Sequence, residues 1–143
     1  MNDFRRSSRI MFVVVLIFIC NKFLLRPYIL ENDFPEFIDI FVLSLPNLCE
    51  AVIGGLLLSN LGLYVKYKFL TTNTRITEKH IYLVAVLLTA MYTLLQELKV
   101  HNLGGNNVCD PYDIFFSIMG LIIVYCILLH MKPVISSNEK IKL

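Results

Sequence analysis

The sequence predicts an all-α, polytopic membrane protein with four transmembrane helices and both termini on the cytoplasmic side. Three observations carry that expectation. Of the 143 residues, 57% are hydrophobic and only 17% charged, with a mean hydropathy of +0.68. A soluble domain averages about 45–50% apolar and about 25% charged residues, so there is too little polar surface here to coat a water-soluble globule. Four apolar segments are each long enough to cross a hydrocarbon core of about 30 Å. The basic residues, finally, are ordered by position along the chain rather than gathered on one face.

The spans read as about 10–30, 37–65, 81–98 and 114–130, forming one membrane domain over 1–143 with no room for a separate soluble catalytic domain. The first has an uninterrupted apolar core, Ile10 to Cys20, behind Arg5-Arg6-Ser7-Ser8-Arg9. That lead also fits the n- and h-regions of a secretory signal, but no small-x-small site follows, and Ile19 before Cys20 suits lipoprotein processing poorly. Lys22 and Arg26, four apart, can cover lipid with their stems while their charges reach the interface. The second span contains Pro46, which removes a backbone donor and predicts a kink, and the pair Gly54-Gly55. The third runs from Ile81 toward Leu98, and the fourth ends before Pro133.

Orientation follows from the loops. With the N-terminus inside, Arg5, Arg6, Arg9, Lys66, Lys68, Arg75, Lys79, Lys132, Lys140 and Lys142 are cytoplasmic, leaving Lys22, Arg26 and Lys99 outside. Acidic residues show the opposite bias: Asp3, Glu78 and Glu139 are inside, while Glu31, Asp33, Glu36, Asp39, Glu97, Asp110 and Asp113 are outside. The polar chemistry is therefore expected on the outer face. A net charge of +2 gives no argument for nucleic acid.

Glu50 is the most informative single residue, because it lies well inside the second span among Leu48, Ala51, Val52 and Ile53. An intramembrane carboxylate is costly and marks either a site or a buried partnership. At 100° per residue Asp39, Pro46, Glu50 and Gly54 share a sector of roughly 80°, a stripe expected to face the bundle interior. Thr89, Thr93 and Gln96 share a face of the third helix, with Glu97 beside it, and such hydroxyl and amide groups commonly bond between membrane helices. Asp110 reads as an N-cap with Pro111 at the first helical position and Asp113 in the first turn. Asp113, Ser117 and Gly120 align on one face of the fourth helix; Gly54, Gly55, Ser117 and Gly120 are the small residues expected to let helices approach.

His101, Cys109, Asp110 and Asp113 lack tight metal-ligand spacing, so no metal and no cofactor is expected. Cys20, Cys49, Cys109 and Cys126 show no disulfide framework. No catalytic triad, phosphate loop or acid-base pair at a recognisable spacing is present.

Tyr92-Thr-Leu-Leu-Gln96, followed by Cys109-Asp-Pro-Tyr-Asp113-Ile-Phe-Phe-Ser-Ile-Met-Gly120, resembles the C-terminal half of the VanZ-like family of small bacterial membrane proteins, named for a member associated with teicoplanin resistance. That pattern ends one helix with an acidic residue and, three positions on, Gln, and opens the next with Asp before a small-residue helix containing Gly. Gln96, Asp113 and Gly120 match; Thr93 stands where the pattern places Glu. The resemblance implies a multi-pass protein of the bacterial cytoplasmic membrane with an envelope role, glycopeptide or lipid related.

The leading expectation is an outward-facing polar pocket, built by Asp39, Glu50, Gln96, Glu97, Asp110 and Asp113, that takes a lipid or envelope-associated ligand. A second reading assembles several copies into a pore, with Glu50 and the outer carboxylates along a cation path. A third is an accessory subunit whose polar residues hold helices together. Intramembrane carboxylates can also do acid-base work, but no nucleophile, metal or substrate anchor is identifiable, so enzymatic activity is the least favoured reading.

Overall fold

The computed structural model describes residues 2–69, 77–97 and 110–132, with the side chains of residues 2–5 and 97 excepted. His101, Cys109, Arg75, Lys99, Lys140 and Lys142 lie outside these residues, as do the loop leading to Asp110 and the end of the third span at Leu98. All the described elements are helical: α1 (Asn2–Cys20), a π-turn (Asn21–Leu25), α2 (Arg26–Leu30), α3 (Glu36–Phe69), α4 (Glu78–Glu97) and α5 (Pro111–Met131). Among the described residues, four stretches are long and apolar enough to cross a membrane: Arg6–Leu30, Glu36–Phe69, Glu78–Gln96 and Pro111–Met131. The first takes in α1, the π-turn and α2 without a break.

Helix α3 is the hub. It packs on α5, α4 and α1, whereas α1 makes no comparable contact with α4 or α5 among the described residues. At a rise of about 1.5 Å per residue its 34 residues reach about 51 Å, well beyond the hydrocarbon thickness. It remains α-helical through Pro46, which can give no N–H to the Val42 carbonyl one turn back.

Packing between membrane helices depends on close approach, since lipid is as apolar as leucine. Gly120 supplies the closest approach to backbone: a Cβ built there would lie 2.6 Å from the Leu48 carbonyl oxygen and 2.9 Å from the Ala51 Cβ. A Cβ on Gly55 would meet Val124 at 2.8 Å, and Phe41 meets Phe116 edge-on at 5.7 Å between centroids, so α3 and α5 run parallel. Cβ atoms on Gly54 and Gly62 would meet Thr89 and Ile81, which sets α4 antiparallel to α3. The core between these helices is Val52, Leu56, Leu63, Tyr82, Val124 and Leu128. Outward-facing Phe12, Leu16, Leu57, Leu87 and Ile122 are all exposed, an apolar surface of the kind that a helix able to cross a membrane presents.

Charge sorts to the two ends. The Ser7 hydroxyl donates to Asn60 Oδ1 at 3.1 Å, and Lys66 Nζ meets Glu78 at 2.7 Å, so the beginnings of α1 and α4 lie beside the end of α3. This is the basic end, with Arg6, Arg9, Lys66, Lys68, Lys79 and Lys132. Lys132 closes α5 in the left-handed conformation (φ 44°), its N–H bonded to the Leu128 carbonyl. The opposite, acidic end carries Glu31, Asp33, Glu36, Asp39, Asp110 and Asp113.

Candidate functional site

Glu50 projects from α3 on the side left open between α1 and α4. At 100° per residue, Leu57 and Leu61 fall within about 20° of Glu50, Asn60 lies about 80° away toward α1, and Gly54 lies about 40° the other way toward α4. Leu57 and Leu61 are 54% and 55% exposed, so this stripe looks out of the bundle. The face buried against α5 carries Ala51, Val52, Gly55 and Ser59 instead. The expected inward stripe of Asp39, Pro46, Glu50 and Gly54 is thus a seam, each of its residues only partly buried. The physical reason is that the small residues, rather than the charged one, set the face α3 presents to its main partner.

Glu50 is not isolated on that seam. Lys22, in the π-turn of the first span, is close enough for its charge to act on the Glu50 carboxylate. Its ammonium also sits 5.8 Å from the centroid of the Phe18 ring. Ser7 and Asn60 pair 14 residues before Asn21 and 14 residues beyond Pro46 respectively, so Asn21 lies level with Pro46 on the antiparallel helix. Asn21 is fully buried, and neither amide atom has a hydrogen-bond partner among the described residues. A π-turn widens the helix by one residue and turns its side chains to new directions, and such turns are frequent at functional sites. Here it places adjacent Asn21 and Lys22 differently, one buried and one exposed.

The other expected residues are spread over the acidic end. Asp39 is partly buried, with its shielded Oδ1 unpartnered among the described residues. Asp110 caps α5, accepting from the Tyr112 N–H at 2.9 Å, and Pro111 follows at the first helical position. Asp113 is partly buried in the first turn, on the same end of the bundle as Asp39 because Phe41 meets Phe116 just below them. Gln96 is exposed, and the Glu97 side chain lies outside the described set.

Among the described residues Thr89 and Thr93 bond within their own helix: each hydroxyl donates within α4, Thr89 to the Ala85 carbonyl at 2.9 Å and Thr93 to the Thr89 carbonyl at 3.1 Å. A buried threonine can satisfy itself on the preceding turn, which leaves no donor for a neighbour. The register that sets Gly54 beside Thr89 and Gly62 beside Ile81 puts Glu50 level with Thr93.

Sequence reasoning missed Asn21, and it treated Lys22 only as a cation reaching the interface. The available signal was an Asn-Lys pair ending an apolar run. A cavity among the described residues lies elsewhere, toward the basic end between α3 and α4, and none of the expected ligand residues lines it. Compared with known proteins, the chain matches no family model, no curated protein and no solved structure.

Proposed function

We propose that this is a multi-pass protein of the bacterial cytoplasmic membrane, with both termini inside, that binds an envelope lipid or lipid-linked ligand at its acidic outer end. The carrying observation is the half-buried Glu50 carboxylate on an outward-facing seam of α3, with the Lys22 charge within electrostatic reach. A ligand moving laterally in the bilayer reaches that seam without crossing the bundle. Glu50 would accept from its hydroxyl, amide or ammonium groups, and Lys22 would hold an anionic group near the interface. Asp39 and Asp113 lie farther out on the same end, where a polar head would extend.

The VanZ-like resemblance supports an envelope role in two respects. Asp113 and Gly120 occupy the family's positions, and Glu50 brings a carboxylate to the level of Thr93, where this chain lacks the family's Glu. A link to glycopeptide resistance belongs to this proposal.

Native mass spectrometry of the protein released from nanodiscs of bacterial polar lipid tests the reading. The intact chain should retain a defined lipid, and Glu50→Gln and Lys22→Gln should each lose it while keeping the same oligomeric mass. Unchanged retention in both variants would count against the seam as the site, and a closed higher oligomer with no retained lipid would favour a pore.

A further inference from the structure

The described cavity, on the basic-end side of Glu50, is an open groove of about 630 Å³ between α3 and α4. Its wall is Leu58, Leu61, Gly62 and Val65 on one side and Ile81, Val84, Ala85 and Leu88 on the other, with His80 as its single polar lining residue. At Gly62 the two walls come close together: a Cβ there would lie 2.6 Å from Ile81 Cγ2. Every other lining residue belongs to a helix apolar enough to cross a membrane, so in a bilayer the groove would open to hydrocarbon.

Its mouth is cationic. Lys68 lies two turns beyond Leu61 on the same stripe of α3, within about 20° at 100° per residue. The Lys68 ammonium sits 5.7 Å from the centroid of Tyr64 and 5.5 Å from that of Phe69, which keeps it beside the aromatic surface. His80 shares a 2.6 Å hydrogen bond between its Nδ1 and the Thr77 hydroxyl. With that hydroxyl donating, Nε2 carries the ring proton and is free to donate. Lys66 is already neutralised by Glu78 and adds little. Lys79, next to His80, is exposed.

We infer that this groove holds an acyl chain of an anionic phospholipid from the leaflet at the basic end, with the phosphate at the mouth beside Lys68 and His80. An apolar slot in contact with hydrocarbon takes a lipid chain readily, and basic residues between transmembrane helices select acidic head groups. The site is independent of the Glu50 seam and belongs to the opposite leaflet.

The absence of tryptophan makes the test direct. Leu61→Trp places one indole at the groove, and Ile122→Trp places one on an exposed position of α5. Each is reconstituted in phosphatidylcholine containing brominated phosphatidylglycerol or brominated phosphatidylcholine, and fluorescence quenching is measured. The groove indole should show several-fold stronger apparent binding of the anionic lipid than of the zwitterionic one, and the control indole should show none of that preference. Adding Lys68→Gln and His80→Gln should abolish the preference, while Glu50→Gln should leave it intact. Equal quenching by both lipids at the groove, or a preference that survives loss of the two basic groups, overturns the inference. So does a groove indole shielded from both lipids in a protein that native mass spectrometry shows to be a dimer, because a second copy would then fill the groove.

Discussion

Ser7 on α1 and Asn60 on α3, 53 residues apart, share a buried hydrogen bond of 3.1 Å that ties the first span to the rest of the bundle. Because α1 packs substantially on α3 alone, this bond and the contacts of Ile10, Met11 and Val14 with the core set its register. That register brings Lys22 toward Glu50. Interhelical hydrogen bonds in membranes average about 0.6 kcal/mol and reach about 1.7 kcal/mol. Ser7→Ala should therefore destabilise the protein within that range in reversible unfolding from mixed micelles, and weaken lipid retention at Glu50 through the shifted helix. Loss of stability without any change in retention would separate the register from the site.

Gly120 should tolerate less than Gly54. A methyl group on Gly120 meets the Leu48 backbone carbonyl at 2.6 Å, which cannot rotate away, whereas one on Gly54 meets the Thr89 methyl at 2.9 Å, where a side chain can yield. Overpacking typically costs about 1–3 kcal/mol. Gly120→Ala should fall near the upper part of that range and Gly54→Ala near or below its lower bound, measured in the same unfolding assay. Equal costs would contradict the close α3–α5 crossing.

The Lys66–Glu78 ion pair, at 2.7 Å, has side chains 23% and 39% exposed. Such pairs are worth about 0.2–1 kcal/mol. Lys66→Gln should cost no more than that, and the charge-reversed double variant Lys66→Glu with Glu78→Lys should recover most of it. A double-mutant cycle on unfolding free energies checks both values.

Asp110 and Asp113 should separate by role. Asp110 holds the Tyr112 N–H, so Asp110→Ala should cost about 1 kcal/mol of stability, and Asp110→Asn, which still caps, only a fraction of it. Asp113→Asn should leave stability nearly unchanged and reduce lipid retention. Thermal unfolding beside native mass spectrometry distinguishes the two; the converse pattern would move the ligand role to Asp110.

The four long apolar helices were legible because hydropathy and length mark such segments almost alone, and the Asp110-Pro111 start of α5 because capping chemistry is local. The direction of Glu50 was not. Treating a polar stripe as inward assumes that helices bury their polar groups, but Gly120, Gly55 and Ala51 determine which side of α3 approaches α5, and Glu50 falls opposite. Nor does sequence show that, among the described residues, α1 docks mainly on α3, leaving the seam open. The Asn21-Lys22 pair ending an apolar run was visible, but nothing in the composition marks the π-turn or the burial of the Asn21 amide. Thr89 and Thr93 were recognisable as buried polar residues, yet whether a hydroxyl bonds its own helix or a neighbour depends on the rotamer and the partner's distance.

The central claim, that Glu50 lies in the membrane on a face open to lipid, is tested most directly by a nitroxide scan of positions 48–62 along α3. The measurement uses a cysteine-free background in liposomes and compares collision with oxygen, enriched in hydrocarbon, against collision with a water-soluble nickel chelate. Oxygen accessibility should peak together at 50, 57 and 61 and fall at 52, 56 and 59, with little nickel collision at 50. A position 50 in phase with 52 and 56, or one strongly reached by nickel, would contradict it.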